Sequence, residues 1–350
     1  MLLFRNKQAY LGFAISFLCL NFFSTHAQDE TTKAISLPDI SGSVDTYYKY
    51  DLSGFKNEDG GSNIGTSFAS DQNSFSIGML NLILSKEIGK ASFVGDIGVG
   101  PRNANSSGDG LNASIQNLYI SYQLADKLTV TGGYMGTFVG YEVISPVDNF
   151  NYSTSYLFTN GPFQNAGVKL DYQISDKVGI MAGVFNDWNV YSDNNDIADF
   201  GAQLSIVPTE GWEVYVNLIT GPESGTEIDL TTTYQVSSSL LLGLNMANYE
   251  NANDDAGFSG AALYANYQLS DNVALGFRGE HFTDDKLGIL VSGEKTNINA
   301  FTLSANIKSG PLTFIPEIRL DSAEGNIFVD ESDKPTDMAT QVLFAAIFAF

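Results

Sequence analysis

Apolar and polar residues alternate with a period of two along most of this chain. In 115–124, Leu118, Ile120, Tyr122 and Leu124 share one side, opposite Asn117, Tyr119, Ser121 and Gln123. In 128–139, Leu128, Val130, Tyr134 and Phe138 oppose Thr129, Thr131 and Thr137. The same pattern sets Trp212, Val214, Val216 and Leu218 against Glu213, Tyr215 and Asn217, and Leu312, Phe314, Ile318 and Leu320 against Thr313, Glu317 and Arg319. Successive side chains of a strand point to opposite faces, so each run predicts a strand with one apolar and one polar face.

Short turns separate some runs: 85–90, 124–127, 174–177, 208–211, 237–239, 269–272 and 308–311. Longer stretches rich in Asp, Asn, Gly and Ser separate the others, at roughly 52–74, 101–113, 142–161, 189–197, 221–226, 249–257, 283–296 and 322–337. Short turns on one side and long loops on the other are the asymmetry of an outer-membrane barrel. One strand near Ile40–Asp51, two for each of the seven short turns and a closing strand ending at Phe350 predict sixteen strands, even and antiparallel. The expected fold is an all-β transmembrane antiparallel barrel with short periplasmic turns and long extracellular loops. No linker or composition shift divides it, so residues 39–350 read as one barrel domain.

The two ends agree. Phe344, Phe348 and Phe350 share a face with Val342 and Ala346, and an apolar face running to the last carboxylate would be an aggregation hazard on a soluble sheet. It suits lipid, and an aromatic end resembles the closing strand of bacterial outer-membrane barrels. Phe350 is therefore expected to serve as an assembly signal read by the barrel-assembly machinery. At the other end, basic Arg5 and Lys7 precede an apolar stretch from Ala9 to Phe23, and Thr25-His26-Ala27 is a small-x-small approach to a cleavage site. Residues 1–27 read as a secretory signal peptide and 28–38 as a short N-terminal segment. Cys19 follows Leu18 rather than a small residue, which argues against lipidation.

Charge narrows the function. Loss of 1–27 would remove the only Cys and two of 17 basic residues while keeping all 40 acidic ones, for a net charge near −25. That excludes disulfides, thiolate nucleophiles and cysteine metal sites from the remaining chain. It also argues against nucleic acid as a partner. No helix-length apolar run follows the leader, so a membrane span here has to be built from strands. Aromatic residues at strand ends, among them Tyr47, Tyr122, Tyr141, Tyr172, Trp188, Trp212, Tyr249 and Tyr267, suit the headgroup level.

If the apolar face meets lipid, the polar face lines a lumen. The charged residues on that parity are Asp45, Lys49, Asp96, Lys169, Asp171, Glu213, Asp229, Arg278, Glu280, Glu317 and Arg319, seven carboxylates against four cations. A Lys or Arg on the lipid face costs roughly 2–4 kcal/mol at the midplane, so this placement points to water inside. Arg278 with Glu280, and Arg319 with Glu317, also read as ion pairs bracing the wall. The excess of acid predicts a modest cation preference.

The stretch 136–167 is long and apolar for a surface loop. It is the third long loop, the position that folds inward in general porins, and is expected to narrow the pore. Glu142 and Asp148 would face water, with Phe150, Tyr152 and Phe158 pinned to the wall. The alternative is a lid packed on neighbouring loops.

The run GYEVISPVDNFNYSTSYLF, the following PFQNAGVKLDYQISDK and the earlier LNLILSKEIGKASFVGDIGVGPR resemble the OmpL-like outer-membrane β-barrel porins of Bacteroidota. The resemblance covers most of the mature chain and implies a passive diffusion channel for small hydrophilic solutes or ions in the outer membrane of a Gram-negative bacterium. No site residues carry over from it. Expected partners are outer-membrane lipid, small hydrophilic solutes or cations, and further copies of the chain in a homo-trimer. An enzyme is not expected: the only His beyond the leader, His281, stands alone at a strand's loop end, and no hydrolase, zincin or P-loop string occurs. No cofactor is expected. Asp193-Asn194-Asn195-Asp196 and Asn253-Asp254-Asp255 offer oxygen ligands for Ca²⁺ but lack the spacing of a calcium loop and read as solvated turns. The other reading is a non-porous barrel acting as adhesin, receptor or anchor through its loops.

Overall fold

The computed structural model describes residues 37–350, except 67, 107–109, 111, 112 and 195. The expected leader, its expected cleavage site and most of the 28–38 segment lie outside the described residues. In chain order the elements are β1 (Asp39–Asp51), β2 (Ser74–Ile88), β3 (Ala91–Val99), α1 (Pro101–Ser106), β4 (Ala113–Ala125), β5 (Leu128–Gly136), α2 (Tyr156–Asn160), β6 (Gln164–Ser175), β7 (Val178–Phe185), β8 (Asp199–Thr209), β9 (Trp212–Gly221), β10 (Gly225–Gln235), β11 (Leu240–Glu250), β12 (Gly257–Ser270), β13 (Val273–Asp285), β14 (Lys295–Ser309), β15 (Leu312–Ala323), β16 (Phe328–Val329), β17 (Pro335–Thr336) and β18 (Met338–Ala349).

Among the described residues, sixteen strands form one closed antiparallel barrel in which each strand pairs with its sequence neighbour. β16 and β17 form a separate two-stranded ribbon in the loop between β15 and β18. The barrel closes where β1 meets β18, in the register Val44↔Phe348 and Tyr50↔Val342. The last residue completes this seam: Phe350 N–H donates to the Gly42 carbonyl and Gly42 N–H to that of Phe350, each at 3.0 Å. Closure leaves no sheet edge, as a bilayer requires, because an unpaired backbone group has no water partner in hydrocarbon.

All seven predicted short turns join strand pairs on one side of the barrel. The strand alternation sorts side chains as the sequence implies. Leu118, Ile120, Leu124, Val168, Leu170, Ile318, Phe344 and Phe348 stand exposed on the outer face. A belt of that size on a soluble protein would drive association; around a barrel it is the lipid contact. Tyr122, Tyr172, Trp212, Tyr234 and Tyr267 project outward close to the short turns, where they form an aromatic girdle. Four predicted girdle residues sit elsewhere, Trp188 among them in the 186–198 connection against Tyr249, with ring centroids 5.4 Å apart. Tyr47 points into the lumen and donates to Asp71, Tyr141 lies inside on Tyr264, and Tyr249 packs on Phe258 at a strand's far end. The Tyr47 and Tyr141 rings find protein partners inside, so parity and loop path override the interfacial preference of Tyr. Likewise β5 ends at Gly136, and Phe138 turns inward against Phe185, with ring centroids 5.8 Å apart, instead of continuing the apolar outer face.

Candidate functional site

Sixteen strands enclose more space than their own side chains can fill. All eleven charged residues assigned to the inner parity lie on the inner wall. They divide into two sets. Asp45, Lys49, Asp96, Asp229, Arg278, Glu280, Glu317 and Arg319 are buried, whereas Lys169, Asp171 and Glu213 remain partly exposed.

Most of this burial comes from the connection between β5 and β6, which runs down the lumen, while Asp96 is covered by the wall side chains Asn81 and Asn117. Gly140 N–H donates to Asp229 at 3.2 Å, and Tyr141 stacks on Tyr264 at 4.1 Å between centroids. Asp229 also accepts from Asn217 at 2.6 Å and from Asn245. The loop's lowest point is Phe150–Asn151. The Phe150 carbonyl accepts from Asn306 at 2.8 Å, and Asn151 donates to the Gly276 carbonyl at 3.3 Å and to Ser304. Gly276 and Asn306 lie near the short-turn ends of β13 and β14, so the loop reaches the periplasmic part of the barrel. A Cβ on Gly276 would stand 2.9 Å from the Phe150 carbonyl oxygen; glycine is what admits the loop backbone here.

The returning arm, 152–157, is held through its backbone. Tyr152 and Ser153 N–H donate to the Glu317 carboxylate, at 2.7 and 3.2 Å. Tyr156 and Leu157 N–H donate to Glu280 at 2.9 and 2.8 Å. Arg278 donates to the Ser153 carbonyl at 2.7 Å and Arg319 to the Thr154 carbonyl at 2.8 Å. Ser155 caps α2 by accepting from Phe158 N–H at 3.0 Å, while its own N–H and hydroxyl donate to Glu142. The Tyr152 hydroxyl donates to Asp45 and that of Tyr156 to Asp321. Burial pushes both phenols well above their ordinary range, so they remain donors.

The two wall ion pairs differ from those expected. Arg278 pairs with Glu142 of the loop at 2.6 Å, and Arg319 with Asp321 at 2.8 Å. Glu280 and Glu317 are occupied by loop amides instead. A buried carboxylate needs several donors, and consecutive amides of one loop supply two to each. Glu142, expected to face water, is therefore buried. Tyr152 is fully buried and Phe158 packs on Phe68 and Phe163 at 5.9 and 5.2 Å, while Phe150 is only half-buried.

Asp148 is water-accessible in a confined space below the loop, an open void of about 940 Å³ lined also by Glu213, Thr233, Gln235 and Tyr264. The surrounding protein raises its carboxyl above the usual range by desolvation. A second opening on the β5–β9 side is bordered by Gln123, Thr129, Asp171, Gln203 and Tyr215. Lys169 pairs with Asp171 at 3.1 Å beside it.

Sequence reasoning missed several inward groups. Asp321 continues the parity of Glu317 and Arg319 and was legible by extending that strand. Asp51, Asp199, Glu227 and Asp284 are also buried inside, toward the loop ends of their strands. Arg102 gave no signal: it lies on α1, within a predicted loop. Its guanidinium sits over the rings of Phe68 and Tyr152 at 4.8 and 4.7 Å and donates to the Ile144 and Tyr152 carbonyls. His281 stands exposed on the outer face, its Nδ1 2.9 Å from the Asn299 side-chain oxygen.

Solved structures similar to this fold include outer-membrane proteins, an anion-selective porin among them. The fold is similar to the anion-selective porin from Comamonas acidovorans (TM-score 0.59, 12% identity, covering 89% of this chain and 99% of that one). It is also similar to in-vitro folded OmpT of Vibrio cholerae in its trimer form (TM-score 0.57, 12% identity, 89% and 99% covered). Salmonella typhi OmpF in complex with daunomycin gives a TM-score of 0.57 at 10% identity, with 89% and 97% covered. At these identities the likeness is one of fold. No curated protein matches the chain. The family model described as "Putative beta-barrel porin-2, OmpL-like" matches residues 39–350, the whole of the barrel. The chain belongs to this OmpL-like family and is a porin of the Gram-negative outer membrane.

Proposed function

We propose that this porin passes small hydrophilic ions and solutes by passive diffusion, with a preference for cations, and performs no catalysis. The observation that carries this reading is the split of the inner wall. Most charges of the inner wall are buried under the loop or against neighbouring wall side chains, and those that meet water are Asp148, Asp171 and Glu213 against Lys169. A confined acidic surface lowers the potential felt by a permeating cation. Three barrels side by side, as in the trimer form of OmpT, would each keep a separate lumen, and we propose the same arrangement for this chain.

Reversal potential in a planar bilayer under a salt gradient tests the selectivity. A modest cation preference is expected; zero or anion-selective reversal would mean that Lys169 and the buried cations govern permeation. The preference is expected to depend on pH. Because desolvation raises Asp148, its charge is lost as the pH falls through values still above the usual carboxylate range, and selectivity weakens in that window. Asp148→Asn should show the weaker selectivity at neutral pH and lack that step.

A further inference from the structure

Two openings lie at the short-turn end of the lumen, and their chemistry differs. The one beside β5 to β9 carries Lys127 as well as Asp126 and Asp171. The void of about 940 Å³ below the β5–β6 connection has no Lys or Arg on its wall. Gly211, Gln235 and Leu241 place it near the short turns of β9, β10 and β11. Of the carboxylates that border it, Glu142 is already paired with Arg278. Glu213 accepts only from the Tyr215 hydroxyl, at 3.2 Å, and Asp148 stands in water with no ion pair among the described residues.

We propose that this void is a binding site for small primary amines with an apolar or aromatic body, the ammonium toward Asp148 and Glu213 and the body on Val143, Phe150 and Leu241. This rests on the porin reading above and names the class of solute the pore favours. Three observations support it. First, the wall offers two carboxylates and no cation to answer them. An ammonium brings three donors and the missing charge, whereas an anion is repelled. Second, Asp148 is held in place before any solute arrives. The Asn149 side chain donates to the Val143 carbonyl at 2.6 Å and accepts from Val143 N–H at 3.1 Å, which closes the turn that presents Asp148. A site built in advance loses less to ordering when it binds. Third, the rest of the wall is apolar and aromatic. Val143, Phe150 and Leu241 are all partly exposed, and Tyr141 stacks on Tyr264 with an interplanar angle of 17°. The buried Tyr264 hydroxyl on the same wall finds no hydrogen-bond partner of normal geometry among the described residues. A hydrated inorganic cation uses none of this apolar surface, and a neutral aromatic leaves both carboxylates unanswered. An amine with an apolar body uses both parts, as ligand sites with an apolar lining and a few placed polar groups do.

Block of a sodium chloride current in a planar bilayer tests this, with 2-phenylethylammonium, methylammonium and 2-phenylethanol as probes. The first carries both charge and apolar body, the others one each. 2-Phenylethylammonium is expected to reduce the current at concentrations about tenfold or more below those the other two require. Asp148→Asn and Glu213→Gln should each raise its half-blocking concentration about tenfold, the scale of one lost hydrogen bond to a charged group. Asp126→Asn, at the other opening, should leave it unchanged. Asp148 makes no internal bond that its amide would remove, so that variant is expected to fold as the wild type does, and heat modifiability checks it. Equal block by methylammonium or 2-phenylethanol, an unchanged half-blocking concentration in folded Asp148→Asn, or an equal effect of Asp126→Asn overturns the proposal. In each of those results the sodium chloride current persists and the porin reading stands. Absence of current in the wild type and every folded variant would overturn both.

Discussion

At the level of single residues, what matters is how buried charge is satisfied. Arg278 is fully buried, with Glu142, the Ser153 carbonyl and Thr302 around it. Replacing one partner of a buried ion pair leaves the other charged and unpaired, at a cost of about 3–5 kcal/mol. Arg278→Met should therefore lower the stability of the closed barrel by about that amount, read as a shift in the denaturant midpoint of the folded, heat-modifiable form. If the loop shifts in the variant and water reaches Glu142, the measured loss will be smaller and conductance will rise together with it. A full loss without any rise in conductance would mean that Glu142 stays buried and the loop stays in place. The sequence placed Arg278 on the inner face from its parity alone. It could not assign Glu142 as its partner, because the two are 136 positions apart and meet only through the path of the loop.

At the level of elements, the strands and the β5–β6 connection follow different rules. A strand is fixed by local alternation and by pairing with the next strand. The connection is fixed by the wall it meets: Gly276, Glu280, Ser304, Asn306 and Glu317 come from β13, β14 and β15. The connection contributes no strand to the barrel, whose ladder of backbone bonds is complete without it. Removing 146–158 should leave the barrel folded and raise single-channel conductance several-fold, to the scale set by the remaining loops. Unchanged conductance in a correctly folded deletion would mean that the 52–73 connection, which brings Phe68 and Thr66 into the same space, sets the resistance instead.

At the level of the whole molecule, closure is the decisive event. β1 and β18 are the most distant strands in sequence and pair over Ser43↔Ala349 to Asp51↔Gln341. Until that seam forms, two edges expose unpaired backbone groups to lipid. Phe350 contributes two backbone bonds to Gly42 at 3.0 Å and a ring on the lipid side beside Phe348, at 6.4 Å between centroids. Deleting Phe350 should reduce the amount of folded, heat-modifiable barrel in the membrane while leaving the conductance of the barrels that do form unchanged. Normal folded levels in the deletion strain would count against a role in assembly.

The sequence alone determined the architecture. Period-two alternation, the seven short turns and the aromatic end were sufficient for sixteen strands, their order and their inner and outer faces, because a barrel pairs each strand with its neighbour and the information is local. It also placed the third long loop among the candidates for the lumen, from length and apolar content. Only the tertiary structure decided what fills the barrel. The depth reached by Phe150, the exchange of ion-pair partners at Arg278 and Arg319, the inward turn of Phe138 and the stacking of Arg102 on Phe68 and Tyr152 all depend on contacts between distant segments. Parity can show which way a wall side chain points. Which loop atom meets it is set by the three-dimensional path of a segment that carries no repeating pattern.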